Sequence, residues 1–391
     1  SGRKGPWKTG VTAVDINSDG RMDIYVCYSG KIKENGRKNQ LFLNMGNNEN
    51  GIPIFTEVAR LYGLDSSAYS NQGYFFDYDR DGDLDMLLLN HNPNSLPVLG
   101  VSKTKTLLKK DEPMMGLRLY EQRDRYFHDI TPNTKINGSS LSYGLGIALS
   151  DFNNDGWADV FTNGQIMFNN GNNTFTPVAY SMNVGGVGDL NNDGLPDISV
   201  LNNEPDNHFL WLNSNTESNN WLKITLEGSL TNRMGIGSWI EISIDSNKQY
   251  RYTLNGEGYT SQNSGAEFFG VGNYTTLDYV KVAWLSGVED ILYNVPVNQT
   301  LHIVESSTLS QKKVSETIFN IYPNPGQDII HIDSNSSLYQ VELFDVLGAR
   351  VFLKERLEFG SQIDIRHLSS SVYYLIARSA DSSLHKKIVK N

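Results

Sequence analysis

One nine-residue pattern limits what this chain can fold into more than any other feature. In FDYDRDGDLDMLLLN (residues 76–90), Asp77, Asp79, Asp81 and Asp85 spell D-x-D-x-D-G-x-x-D, with Gly82 sixth and Asp85 ninth. So many carboxylates in so short a span repel one another unless a cation neutralises them. A hard divalent ion does this best, because Ca²⁺ accepts about six to eight oxygens from carboxylates, carbonyls and water. Gly82 supplies the turn that aims the acids inward, since glycine enters left-handed backbone space without penalty. Position twelve is Leu88 and not the bidentate Glu of a helix-flanked calcium loop, and the apolar flanks have no helical period. The expectation is strand, turn, strand.

The pattern recurs three times. Asp15, Asn17, Asp19 and Asp23 sit in VDINSDGRMDIYV; Asp151, Asn153, Asp155 and Asp159 in SDFNNDGWADVF; Asp189, Asn191, Asp193 and Asp197 in GDLNNDGLPDISV. A glycine is sixth each time (Gly20, Gly82, Gly156, Gly194). The seventh residue (Arg21, Asp83, Trp157, Leu195) offers its backbone carbonyl as a ligand, and Asp83 adds a carboxylate. An acidic Asp-Gly hairpin turn needs no metal and would account for one copy. Four copies with the same ligand positions point to a repeat of about four Ca²⁺ loops.

The formal charge is -11, which argues against nucleic acid as a partner. The loops hold 14 aspartates, and four divalent ions would bring the net charge to -3, so the acidity belongs mostly to the loops. No apolar window is long enough to span a membrane. Cys27 is the only cysteine, lies in the apolar run DIYVCYSG and reads as a core residue, with no intramolecular disulfide possible. The opening SGRKGPWKTG has neither an initiating Met nor an apolar leader, so the chain is expected to be a processed product or a piece of a longer one.

Within residues 7–213 each acidic loop has a strand entering, a strand leaving and a third element: NQLFLNMGN, GLRLYEQRDRYF, QIMFNNGNNTF and NHFLWLNSN. A unit of about 40–60 residues with up to four strands is the signature of a propeller blade. These loops with their N-x-L-F-x-N and F-x-x-V tails resemble FG-GAP/VCBS repeats, the calcium-loop blades of integrin-type propellers. Residues 91–115 read as an insertion between strands. Four units are fewer than such propellers commonly have, and an open arc would expose apolar faces at its ends. Either an N-terminally incomplete propeller or an unusually small closed one follows, and the former is the expectation.

From residue 221 the acidic loops give way to alternating strands. NNWLKITLEG, NRMGIGSWIEI, GEGYTSQNS, FFGVG, VKVAWLSG and NVPVNQTLHIV together resemble the ASPIC/UnbV domain, which typically follows VCBS repeats. Where relatives carry Trp-Pro-Ser-Gly, this chain has Trp284, Leu285, Ser286 and Gly287. Arg233, Tyr259, Ser261 and Gln262 form a polar group that either binds a ligand or satisfies the turn at Gly256 and Gly258. After the polar stretch SSTLSQKKVSET come the Tyr322-Pro323-Asn324-Pro325 turn, the Asp345…Gly348 hairpin and the closing KKIVK. These resemble the type A C-terminal sorting domain of type IX secretion in Gram-negative bacteria, with Ser371 where a Gly is usual. The resemblance implies a small Ig-like sandwich recognised by the secretion machinery and a secreted or outer-surface location.

No G-x-S-x-G, H-E-x-x-H or P-loop occurs, and the seven histidines show no metal-ligand spacing. The chain is therefore expected to be all-β. Propeller blades with four calcium loops fill 1–217, an ASPIC/UnbV sandwich fills 218–306, a linker 307–317 and a sorting sandwich 318–391. The expected role is a calcium-binding, non-enzymatic module for an extracellular glycan or protein. The alternative is part of an enzyme acting on extracellular polysaccharide, with its catalytic residues on other blades.

Overall fold

A computed structural model describes residues 6–91, 116–136, 146–162, 165–179, 185–200, 208–215, 219–258, 262–308, 311–312, 319–334, 338–357, 361–378 and 383–391. The protein is all-β, and none of its sheets closes on itself among the described residues. Its contacts divide it into two compact units. One comprises residues 1–16, 22–42 and 57–313, and the other 17–21, 43–56 and 314–391.

Four antiparallel meanders follow one another along the chain. The first is β1 (Trp7–Val14), β2 (Asp23–Ser29), β3 (Gln40–Asn47) and β4 (Pro53–Glu57). The second is β5 (Ser70–Phe76), β6 (Asp85–Asn90), β7 (Gly116–Arg123) and β8 (Tyr126–Asp129). The third is β9 (Ala148–Ser150), β10 (Asp159–Thr162), β11 (Gln165–Asn169) and β12 (Phe175–Ala179). The fourth has three strands among the described residues: β13 (Gly185–Gly188), β14 (Asp197–Val200) and β15 (Phe209–Trp211). In every case the acidic loop joins the first two strands.

Successive sheets meet through their first strands, where small residues let backbones approach. The Thr9 and Thr12 hydroxyls of β1 donate to the Ser70 and Gly73 carbonyls of β5 at 2.6 and 2.7 Å. A Cβ on Gly10 would come within 2.4 Å of the Asn71 oxygen. Between the third and fourth sheets Ala148, Phe152, Phe161, Ile166, Val187, Ile198 and Val200 share one apolar cluster. β6 is buried along its whole length, as expected of the continuous apolar run DMLLLN. Cys27 is buried as a core residue, and burial raises its thiol pKa. By contrast Phe209, Leu210 and Trp211 stay exposed along β15 and Leu212 just past its end, as do Trp7 and Val11 on β1.

The rest of the larger unit is a sandwich of β16 (Asn220–Glu227), β17 (Trp239–Ile244), β18 (Asn247–Tyr252), β19 (Ala266–Gly272), β20 (Thr276–Ala283), β21 (Val288–Pro296), β22 (Gln299–Val304) and β23 (Gln311–Lys312). Its sheets run β19-β16-β22 and β18-β17-β20-β21-β23, with β16 and β22 parallel. Leu222, Ile224, Ile240, Ile242, Phe269, Val280 and Val282 fill the space between them. β23 lies in the stretch read as a linker: Gln311 and Lys312 pair with Glu289 and Val288. Ladder bonds are made by backbone, so polar side chains do not forbid a strand there.

In the smaller unit the tail is a second sandwich, built from β24 (Phe319–Tyr322), β25 (Ile329–Ser334), β26 (Leu338–Phe344), β27 (Arg350–Leu357), β28 (Ser361–Asp364), β29 (Ser371–Arg378) and β30 (Ser383–Lys390). The sheets β24-β25-β28 and β27-β26-β29-β30 enclose Ile330, Ile332, Val341, Leu343, Ile363, Leu375 and Ile388. The inserted loop falls almost wholly outside the described residues, and so do Tyr259 and Ser261. Gln262 accepts the Gly256 N–H at 3.0 Å, which satisfies the turn.

Candidate metal centre

The four acidic loops adopt one backbone conformation. Their fourth residues (Ser18, Arg80, Asn154, Asn192) and their sixth, the glycines, all take positive φ, from 55° to 90°. Two left-handed residues with one residue between them curl the chain, and in the second loop the first and third side chains come together with the ninth. Glycine bears this without strain, whereas Arg80 and Ser18 take a conformation uncommon for their type.

The hydrogen bonds repeat as well. The ninth carboxylate accepts the second residue's N–H: Asp23 from Ile16 (3.1 Å), Asp85 from Tyr78 (3.1 Å), Asp159 from Phe152 (3.0 Å) and Asp197 from Leu190 (2.8 Å). In three loops its other oxygen accepts from the third strand or just beyond, from Gln122, Asn169 and Asn213 at 2.8–2.9 Å. The ninth acid thus ties the loop to its sheet. The first carboxylate accepts the glycine N–H in three loops: Asp77 from Gly82 (3.2 Å), Asp151 from Gly156 (2.7 Å) and Asp189 from Gly194 (3.2 Å). The fifth accepts the seventh N–H: Asp19 from Arg21, Asp81 from Asp83, Asp155 from Trp157 and Asp193 from Leu195, at 2.8–3.0 Å. Asn17, Asn153 and Asn191 donate to the fifth carboxylate at 2.8–3.0 Å, and the amide oxygens of Asn153 and Asn191 accept the fifth residue's N–H at 3.2 and 3.1 Å.

One loop gathers its acids most tightly. Asp77, Asp79 and Asp85 each present an oxygen, and these lie within 4.8 Å of one another. Burial, and after it repulsion from Asp81, pushes Asp79 and Asp83 each up to about 6. Burial pushes Asp77 up to about 7, and Asp85 also lies well above the usual carboxylate range. Such shifts mark charge that the protein's own groups do not balance. In the third loop burial, then Asp155, raises Asp151 to about 6. The donor set is all oxygen, as a hard cation prefers. Two of its oxygens, Asn17 Oδ1 and Asp83 Oδ1, are buried without a hydrogen-bond partner among the described residues. These residues fit Ca²⁺.

The partners that sequence reasoning missed come from the sandwich. The Asp15 N–H donates to the Tyr252 hydroxyl (2.8 Å), and the Gly270 N–H donates to Asp151 Oδ2 (2.8 Å). Tyr250 lies over Gly82, 3.2 Å from where a Cβ would stand. Arg251 reaches the Gly156 carbonyl (3.2 Å), and Lys223 pairs with Asp189 (2.8 Å). Asp15 and the second, third and fourth loops therefore abut one neighbouring module. Nothing in the loops' own spacing signals this, since the partners lie 34 to 237 residues away.

Of the aromatics that could line a ligand face, Tyr74 is buried, with its hydroxyl on Glu257, and Trp157 lies under the Arg80 guanidinium at 3.6 Å. Trp211 borders a groove of about 580 Å³ with Phe152, Phe168, Ile198 and Leu212.

Three family models match parts of the chain. The FG-GAP-like repeat covers residues 15–88, the ASPIC and UnbV model 228–310 and the secretion system C-terminal sorting domain 320–391. The chain thus joins these three kinds of segment, and its tail marks it for type IX export to the cell surface or the extracellular space. Among the described residues no helix is long and apolar enough to cross a membrane. No curated protein matches. Among solved structures, PorZ, a surface component of the type IX secretion system of Porphyromonas gingivalis, is 13% identical with a TM-score of 0.26. That match covers 94% of this chain, which spans 58% of the PorZ chain. The Bacillus anthracis TIE protein is 8% identical with a TM-score of 0.14, over 100% of this chain and 75% of that one.

Proposed function

We propose that this is an exported, calcium-stabilised binding protein whose four meanders are blades of a propeller. The observation that carries the reading is the Asp77, Asp79 and Asp85 cluster in a loop whose conformation the chain builds four times. Asp77, Asp79, Asp81, the Asp83 carbonyl and Asp85 would hold one ion, and the matching positions of the other loops would hold theirs. A bound ion neutralises the repulsion and locks each loop, so that binding free energy becomes folding free energy. At calcium near 100 Kd each occupied site adds about 2.7 kcal/mol.

The ligand-binding half of the reading rests on the groove beside Trp211, whose 580 Å³ falls in the range of small-ligand sites. Its half-exposed indole suits a sugar ring or an apolar side chain. The enzyme alternative needs an acid pair open to substrate. Glu257 and Glu267 line a cavity of only about 50 Å³, which has room for water and not for a sugar.

Calorimetric calcium titration of the chain and of Asp85→Asn tests the metal reading. The variant should bind one ion fewer and melt lower in calcium. Equal stoichiometry, or no binding by the unaltered chain at millimolar calcium, would overturn it.

A further inference from the structure

The four loops share a conformation but not a counter-charge. In the first, Arg21 folds onto Asp19 from the loop's own seventh position and also donates to the Asn44 carbonyl at 2.8 Å, and its side chain is 33% exposed. In the second, no lysine or arginine among the described residues forms an ion pair with Asp77, Asp79 or Asp85. In the third, Arg251 donates to a backbone carbonyl, and its charge favours the ionised Asp151 without a direct ion pair among the described residues. The fourth differs from all of them. The Lys223 ammonium lies 2.8 Å from Asp189 Oδ2 and 3.1 Å from Asn192 Oδ1. The Lys223 side chain is 9% exposed and that of Asp189 0%.

Lys223 has no way to withdraw. It stands on β16 between Leu222 and Ile224, both wholly buried in the sandwich core. On its other side the Trp221 ring closes over Gly194, where an added Cβ would meet the indole at 2.0 Å. The strand that carries Lys223 is thus fixed by the core, and its side chain, enclosed to 9% exposure, keeps the ammonium beside the loop.

We propose that Lys223 is the resident cation of the fourth loop, which serves as an ion-independent clamp between the β13–β15 sheet and the sandwich while the other three loops take Ca²⁺. This rests on the calcium reading above and narrows it to particular loops. The affinity of an oxygen loop for Ca²⁺ follows its ligand charge and rigidity. The fourth loop offers Asp189, Asp193 and Asp197 against one fixed positive charge, whereas the second gathers Asp77, Asp79, Asp81, Asp83 and Asp85. A buried charge is screened little by salt, so the penalty persists at physiological ionic strength. It should weaken the fourth loop by at least about tenfold relative to the second.

The test counts ions per chain by calorimetry and by metal analysis after equilibrium dialysis. The unaltered protein should hold three ions tightly, with any fourth at least tenfold weaker. Asp189→Asn should leave three, and Asp77→Asn should leave two. Lys223→Met frees Asp189 and should give four tight ions, with a stability that now falls in chelator and returns with calcium. Four equivalent ions in the unaltered protein would overturn the proposal without any variant, as would loss of one tight ion in Asp189→Asn. Those outcomes leave the calcium reading intact. No uptake by any form overturns both.

Discussion

Gly270→Ala probes how closely an acidic loop is seated on the sandwich. A Cβ there would lie 2.1 Å from the Asn154 carbonyl carbon, 2.3 Å from its Cα and 2.3 Å from its oxygen. All three are backbone atoms, so no side chain can turn away to make room. Ordinary carbon contacts sit near 3.5–4.0 Å, and the loop must therefore retreat by more than about 1 Å. The same retreat breaks the 2.8 Å bond from the Gly270 N–H to Asp151 Oδ2 and strains the 2.8 Å bond from Gln249 Nε2 to the Gly270 carbonyl. Overpacking of this kind costs about 1–3 kcal/mol, and a lost hydrogen bond to a charged group about 1.5–3 kcal/mol. Together the variant should lose about 3–5 kcal/mol. Urea unfolding followed by tryptophan fluorescence at fixed calcium reads the loss. Gly265→Ala, where the backbone φ is not positive and the nearest atom is the Met234 methyl at 3.6 Å, serves as the control. A loss below about 1 kcal/mol for Gly270→Ala would show that the loop and the sandwich are not in the contact described here.

Two other outcomes follow from the same unit. Burial pushes Glu257 up to about 7, and burial followed by repulsion from Glu257 pushes Glu267 up to about 8. A folded-state pKa above the unfolded value means that their contribution is fully present below the ordinary glutamate range and is lost as pH rises through 7 and 8. In saturating calcium, which on the proposed calcium reading keeps the loop aspartates ionised, the melting temperature should fall between pH 5.5 and 8.5. Glu257→Gln should flatten that slope, and an unchanged slope counts against the burial of this pair. Phe127 is 1% exposed and packs edge-on to Phe75 at 6.2 Å, so Phe127→Ala should cost about 3–5 kcal/mol in equilibrium unfolding. A cost near that of an exposed site would place Phe127 outside the core.

The local grammar of this protein is legible in its residues. Asp77 to Asp85 and their three counterparts foretell turns between strands because their signal is contained within nine residues: spaced acids, a glycine for positive φ and an apolar strand on either side. Alternation in WLKITLEG and SWIEISIDS foretells strands for the same reason, since side chains two apart share a face. What sequence could not give was which of these elements would meet. Lys223 sits between Leu222 and Ile224, where strand alternation aims it to the face opposite the core and so toward water. Instead it is buried, because the fourth acidic loop occupies that face. Tyr252 on Asp15, Gly270 on Asp151 and the short pairing of Gln311–Lys312 with β21 are equally silent in sequence. Each depends on two segments brought together by cores that both must bury. Charge balance in a loop is settled by whatever lies within a few ångströms of it, and for these loops much of that comes from residues far along the chain.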